Sequence, residues 1–256
     1  MKLKRYYTSQ DLDSTSQIRL TDDEFHHMVN VMRTRVGDKV ELFCGNTKNY
    51  VAEVVEISKR YATLNILSSS ENLCEPTVKL DVYQALAKGD KLSLITQKIT
   101  ELGATELYVF DSKFCDVKPN TSKLDRLELV SSSASKQCGR SSVLKINGVL
   151  TLDAVCSNIK NYDKFFVFYE AEDKDNFKNH LLKMVNSNIH SVAIMIGAEG
   201  GFDNSEIQKL KDCGAIIVGL GKRILRTETA SIIGSALVMQ MLEKSQNWLQ
   251  NNAKMQ

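Results

Sequence analysis

VAIMIGAEGG, from Val192 to Gly201, and AIIVGLGKRILRTETA, from Ala215 to Ala230, decide how this chain is read. Each begins as an apolar run and ends in glycines. That pattern is a buried strand opening into a bare-backbone loop, and in an α/β sheet ligands sit at such loops. Glycine lets the main chain approach a ligand closely and reach positive φ at little steric cost. A pair of such turns, followed by Arg226, Glu228 and Thr229, predicts a site for a small cofactor.

Two familiar nucleotide motifs fit poorly. Gly219-Leu220-Gly221-Lys222-Arg223-Ile224 has isoleucine where a dinucleotide fingerprint needs its third glycine, and no acidic residue follows about 20 positions on to hold a ribose. A phosphate loop needs Gly-Lys followed by Ser or Thr, whereas Arg223 follows Gly221-Lys222. NAD and ATP are therefore disfavoured as ligands.

Working outward, the preceding chain alternates strand and helix. Strands are expected at Val78–Ala87, Glu106–Phe110, Val143–Asn147, Phe165–Tyr169, Val192–Ile196 and Ala215–Gly219. Leu92, Ile95, Ile99 and Leu102 form one helical face that Asp90 can cap and Gly103 can end. Asp203 with Glu206 three residues on resembles a capping box, for a helix stopping near Gly214. Thr227 and Thr229 read as N-caps of the last helix. Such alternation predicts a largely parallel sheet covered by helices on both faces.

The first 70 or so residues have a different period. Short β-rich segments at Lys39–Cys44, Tyr50–Ile57 and Tyr61–Leu67 are separated by turns and suggest a small antiparallel barrel or sandwich. A brief helix over Asp22–Met32 interrupts them, with Phe25, Met28, Val29 and Met32 at helical spacing. The polar stretch Ser68–Asn72 reads as a linker. The expected organisation is a barrel over 1–72, an α/β domain over 73–244 and a tail over 245–256.

At 256 residues, 43% hydrophobic and 25% charged, the composition is that of an ordinary globular protein. No signal-peptide pattern or membrane-length apolar run is seen, so a cytoplasmic location without membrane association is expected. The six cysteines are scattered without metal-ligand spacing, which predicts reduced thiols and no metal. A net charge of +2 leaves any nucleic-acid surface to local patches such as Lys2, Lys4 and Arg5, Lys136 and Arg140, and Lys222, Arg223 and Arg226.

Four stretches together resemble the RsmE family of bacterial 16S rRNA uridine-N3 methyltransferases, within the SPOUT class. They are HHMVNVMR (His26–Arg33) with Val36-Gly37-Asp38, QKITELG (Gln97–Gly103), IGAEGGF (Ile196–Phe202) and LGKRILRTETA (Leu220–Ala230). The last is the most specific. The resemblance implies a PUA-like β-barrel for RNA binding, followed by a SPOUT α/β domain tied in a trefoil knot, a homodimer, and S-adenosyl-L-methionine as cofactor. It also implies methylation of N3 of a uridine in 16S rRNA, on the assembled small subunit. Two departures stand out: Ala198 replaces the usual proline of the Gly-Pro-Glu-Gly-Gly loop, and Leu144 replaces a proline after Gln137-x-x-Arg140.

Carried onto this chain, Gly197, Glu199, Gly200 and Gly201 form one wall of the cofactor site. Gly219, Leu220, Gly221, Ile224 and Leu225 form another, and Ala230 lets the last helix pack beneath the adenine. Arg226 is the candidate to stabilise charge on uracil once its N3 proton is lost. Glu228 has three readings: proton acceptor, helix cap or partner of Arg226. Arg33 and Arg223 are candidate RNA contacts; Gln137 and Arg140 face RNA or the cofactor pocket, or form a salt bridge. Adjacent His26 and His27 point to different sides of a helix and suit packing or RNA contact rather than a shared metal. Two competing readings are a catalytically inactive RNA-binding or ribosome-assembly protein and another nucleotide-binding α/β enzyme.

Overall fold

A computed structural model describes residues 3–117, 121–172, 177–185 and 187–253, without the side chains of 121–123 and 243–253. It divides into two compact units. One comprises the chain up to Glu75 together with Ser135–Val143; the other comprises Pro76–Ala134 and the chain from Leu144 onward.

In the first unit β1 (Arg5–Tyr7), β2 (Gln17–Leu20), β3 (Lys39–Phe43), β4 (Lys48–Ile57) and β5 (Ala62–Glu71) form one sheet in the order β1-β3-β4-β5-β2. Only β1 and β3 pair in parallel. Alternation in β4 sends Tyr50, Ala52 and Val54 inward, where they pack with Tyr6, Ile18, Val40, Leu42 and Leu64. The expected helix is present as α1 (Asp22–His26) followed by one π-helical stretch, His27–Val31, with Met28 wholly buried.

The Ser68–Asn72 linker is corrected: Ser68 to Glu71 extend β5, opposite Val51 to Lys48 of β4. Their side chains face water, so composition resembles a linker although the backbone completes a ladder. Asn72 donates to the Gly139 carbonyl at 2.8 Å and to Ser141 Oγ at 2.6 Å. Glu75 accepts from the amides of Ser141 and Ser142 at 2.6 and 2.8 Å and pairs with Arg140 at 3.2 Å. Arg5 donates to Asn49 Oδ1 at 3.0 Å and to the Arg140 carbonyl at 3.1 Å. This polar seam is why a segment so distant in sequence belongs to the first unit.

The second unit contains β6 (Lys79–Ala85), α2 (Lys91–Glu101), β7 (Glu106–Phe110), α3 (Thr121–Cys138, whose end from Ser135 groups with the first unit), β8 (Lys145–Leu150) and α4 (Leu152–Asn158). It continues with β9 (Lys164–Phe168), α5 (Phe177–Met184), β10 (Ser191–Ile196), α6 (Asn204–Asp212), β11 (Ile216–Val218) and α7 (Thr227–Ala253). The strands form an entirely parallel sheet, β11-β9-β10-β6-β7-β8.

Strict alternation splits the core between the two faces. Val192, Ile194 and Ile196 of β10 join Leu92, Ile95 and Ile99 of α2, Leu181 of α5 and Val238 of α7. Ala193 and Met195 join Val155 of α4 and Ile207 and Leu210 of α6. Helices thus cover both faces, as expected.

The Asp203–Glu206 capping box forms, and Gly103 and Gly214 end their helices at φ +93° and +98°. Asp90 precedes α2 but makes no side-chain bond to it. Among the described residues, no helix is long and apolar enough to cross a membrane.

Candidate functional site

Because β10 is inserted between β9 and β6, the strand order reverses there, and the loops leaving the carboxyl ends of β9, β10 and β11 converge. This is the position where open α/β sheets bind ligands. A cavity of about 350 Å³ occupies it. Phe168, Ile196, Leu220, Leu225 and Ala230 give it an apolar lining, and Lys91, Glu170, Glu199, Arg223 and Arg226 contribute charge.

The glycines are needed for distinct reasons. A Cβ on Gly201, already at φ +72°, would lie 2.5 Å from Glu170 Oε1. One on Gly219 would lie 2.2 Å from the Glu172 carbonyl oxygen. Gly221 has open space around it, but its φ of +104° disfavours any side chain. The turn closes without the family proline: Gly201 N–H donates to the Ala198 carbonyl at 3.0 Å.

Beneath the cavity lies a buried polar knot that no motif announced. Gln84 of β6, fully buried, donates through Nε2 to Thr227 Oγ1 at 2.9 Å and to the Ala85 carbonyl at 3.0 Å; its Oε1 accepts from Ser231. Thr227 Oγ1 in turn donates to the Gly197 carbonyl at 2.7 Å. One glutamine therefore ties the start of α7 to the loop after β10. The Thr227 hydroxyl read as an N-cap works as this clamp.

Glu199 accepts from Lys91 Nζ at 2.6 Å and from the Lys88 amide at 3.1 Å. Burial pushes its carboxyl up, but these partners outweigh that and hold it below the ordinary glutamate value.

Of the expected cofactor contacts, Gly197, Glu199, Gly201, Leu220, Gly221, Ile224, Leu225 and Ala230 line the cavity; Gly200 and Gly219 do not, but shape the loops that do. Arg226 and Arg223 also line it. Glu228 is in the first turn of α7, off the lining, with Oε2 buried and without a hydrogen-bond partner.

Arg33 and Gln137 are exposed in the first unit, Arg33 at a left-handed φ of +51°. Arg140, read as facing RNA or the cofactor pocket or as forming a salt bridge, is 5% exposed and paired with Glu75. Lys136, placed in the same basic patch, pairs with Glu24.

Absent from the expected contacts are Lys91, Phe168, Tyr169, Glu170, Ile196, Ala198, Phe202 and Thr227 of the lining, and Gln84 beneath it. Gln84 left a trace, as an amide within the apolar run Val82-Tyr83-Gln84-Ala85-Leu86-Ala87.

A doubly covered parallel sheet with its cavity at the reversal of strand order is a ligand-binding architecture, and the family matches of this chain place it among RNA methyltransferases with an N-terminal PUA domain. Residues 74–239 match the RNA methyltransferase domain family, and residues 20–67 match the RNA methyltransferase PUA domain. The chain is 30% identical to ribosomal RNA small subunit methyltransferase E of Buchnera aphidicola subsp. Acyrthosiphon pisum, over 94% of each protein. It is 29% identical to the Bacillus subtilis protein of that name, over 94% of this chain and 98% of the relative.

The Neisseria gonorrhoeae methyltransferase E crystallised with S-adenosyl methionine superposes with a TM-score of 0.83 at 26% identity, covering 93% of this chain and 98% of that one. A Legionella pneumophila putative methyltransferase in complex with the same cofactor gives 0.84 at 25% identity, covering 94% and 98%. The chain belongs to the ribosomal RNA small subunit methyltransferase E family.

Proposed function

We propose that this protein is an S-adenosylmethionine-dependent methyltransferase acting on N3 of a specific uridine in bacterial 16S rRNA, on the assembled small subunit. The observation that carries this reading is the cavity at the ends of β9, β10 and β11, walled by glycine loops and given an apolar lining by Phe168, Ile196, Leu225 and Ala230.

The cofactor suits these residues. Its adenine needs an apolar slot with backbone hydrogen-bonding groups nearby, and the Cβ-free loops leave room for close backbone approach. Gly197, Glu199, Gly200, Gly201, Gly219, Leu220, Gly221, Ile224, Leu225 and Ala230 form or shape this site. When bound, S-adenosylmethionine supplies an activated methyl group.

The protein's own work is positioning and charge control. Arg226 stabilises the negative charge on the uracil carbonyl oxygens after N3 loses its proton. Glu228, whose buried Oε2 has no hydrogen-bond partner among the described residues, stands beside it as proton acceptor, helix cap or partner of Arg226. Arg223 at the cavity, with Arg33 and Gln137 on the first unit, contacts RNA.

We assign RNA docking to residues 1–72 together with Ser135–Val143, which the fold groups with them, and chemistry to the rest of 73–244, with 245–256 as a tail. Two copies complete the site, each with its carboxyl-terminal region in a trefoil knot, and the enzyme works in the cytoplasm. Exposed Ile224, Ile233 and Leu237 support the pairing, since apolar side chains left in water favour a protein partner.

Mass spectrometry of small-subunit RNA from a deletion strain tests the assignment. The 3-methyluridine should disappear, return with the wild-type gene and fail to return with Arg226→Ala. Its persistence in the deletion would refute the substrate.

A further inference from the structure

Glu170 follows the last residue of β9 by two positions, and its carboxylate lines the cavity against Gly201. Among the described residues it makes no hydrogen bond or ion pair. The other lining carboxylate, Glu199, is neutralised by Lys91 at 2.6 Å. Arg223 and Arg226 line the same cavity. Charge in this pocket is therefore unevenly answered: two guanidinium groups and one paired lysine face a single free carboxylate.

A free carboxylate would be a poor feature of a site meant only for a neutral nucleoside. It suits a ligand carrying positive charge. S-adenosylmethionine carries two positive groups, the sulfonium and the α-ammonium, beside one carboxylate.

Gly201 makes room for Glu170: any Cβ there would meet all three carboxyl atoms within 3.3 Å. The loop after β10 thus permits an acidic group beside the ligand space.

We propose that Glu170 recognises the positive charge of the cofactor's methionyl portion, offsetting the repulsion of Arg223 and Arg226 and raising selectivity for charged over neutral adenosyl ligands. The inference rests on the cofactor reading above. Glu170 is a binding residue here and takes no part in proton transfer.

Calorimetry on the full-length protein tests it, with S-adenosylmethionine, S-adenosylhomocysteine and methylthioadenosine as ligands for wild type and Glu170→Gln. Methylthioadenosine has neither positive group; S-adenosylhomocysteine has only the ammonium. The isosteric amide keeps the shape beside Gly201, and an unchanged melting temperature confirms folding.

The variant should bind S-adenosylmethionine about tenfold more weakly, as expected for loss of one contact between opposite charges, and methylthioadenosine equally well. If S-adenosylhomocysteine weakens to the same extent, the ammonium is the partner; if it does not, the sulfonium is. Equal weakening of all three would overturn the proposal in favour of a contact to the shared ribose, and unchanged affinity for all would overturn it outright. Failure of the wild type to bind S-adenosylmethionine would refute the cofactor reading instead.

Discussion

Replacing Gln84 with methionine isolates the knot under the cavity. Methionine nearly matches glutamine in length and volume, so the substitution removes hydrogen bonds without opening a large hole. In the wild type the Gln84 amide holds Thr227 Oγ1 at 2.9 Å and the Ala85 carbonyl at 3.0 Å, and accepts from Ser231.

Thr227 keeps its bond to Gly197 in the variant, but Ser231, which is wholly buried, loses its acceptor. A buried donor left without a partner costs about 1–3 kcal/mol, and each lost ordinary bond about 1 kcal/mol. The sum is roughly 3 kcal/mol, which for a domain of this size lowers the melting temperature by roughly 6–12 °C. Circular dichroism melts measure it directly. The same variant should bind S-adenosylmethionine more weakly, because Gly197 and Thr227 both line the cavity.

Thr227→Val completes a double-mutant cycle. The two changes should fall short of additivity by at least about 0.5 kcal/mol, since the residues share a bond. A Gln84→Met protein melting within about 2 °C of wild type, or strict additivity, would show that the amide contributes no clamp.

Arg226→Ala should slow methylation of small subunits by about a hundredfold or more, as removal of an oxyanion-stabilising donor does in other enzymes, with affinity for S-adenosylmethionine little changed; single-turnover kinetics distinguishes the two. Gly219→Ala should weaken cofactor binding in calorimetry and destabilise by about 1–3 kcal/mol, because its Cβ would fall 2.2 Å from the Glu172 backbone carbonyl oxygen.

Glu75→Gln breaks a buried ion pair and should cost about 3 kcal/mol near neutrality in urea melts. Burial raises the Glu75 carboxyl, but Arg140 and the Ser141 and Ser142 amides outweigh it and hold it below its ordinary value of 4.5. A depressed folded value means that the stabilisation is present above pH 4.5 and is lost as pH falls through the folded value. The gap between wild type and variant should therefore shrink on acidification, and a gap that widened would refute the assignment.

Periodicity made much of this architecture legible. Glu106–Phe110 was readable residue for residue because an apolar run between a glycine and polar residues has few alternatives, and Asp203 with Glu206 announced its helix through cap chemistry. The glycine loops disclosed the cavity because left-handed backbone at Gly201 and Gly221 and close contacts at Gly197, Gly200 and Gly219 disfavour other residues. Ser68–Glu71 misled because a water-facing strand is stabilised by its backbone ladder, which leaves little compositional mark. The readings of Arg140 stayed open because its partner Glu75 is distant in sequence and is brought to it only by the fold. Glu170 and Lys91 carry no local pattern, since their presence at the cavity depends on which strand ends the sheet order gathers together.

The discontinuity of the first unit bears on how the molecule is made. Its last pieces, Ser135–Val143, emerge from the ribosome long after β5, so Arg5, Asn72 and Glu75 must wait for their partners while β6, α2 and β7 are still being synthesised. Cutting the gene at residue 72 would discard those partners permanently, and transplanting the amino-terminal β unit as a free-standing module would require grafting the later segment along with it.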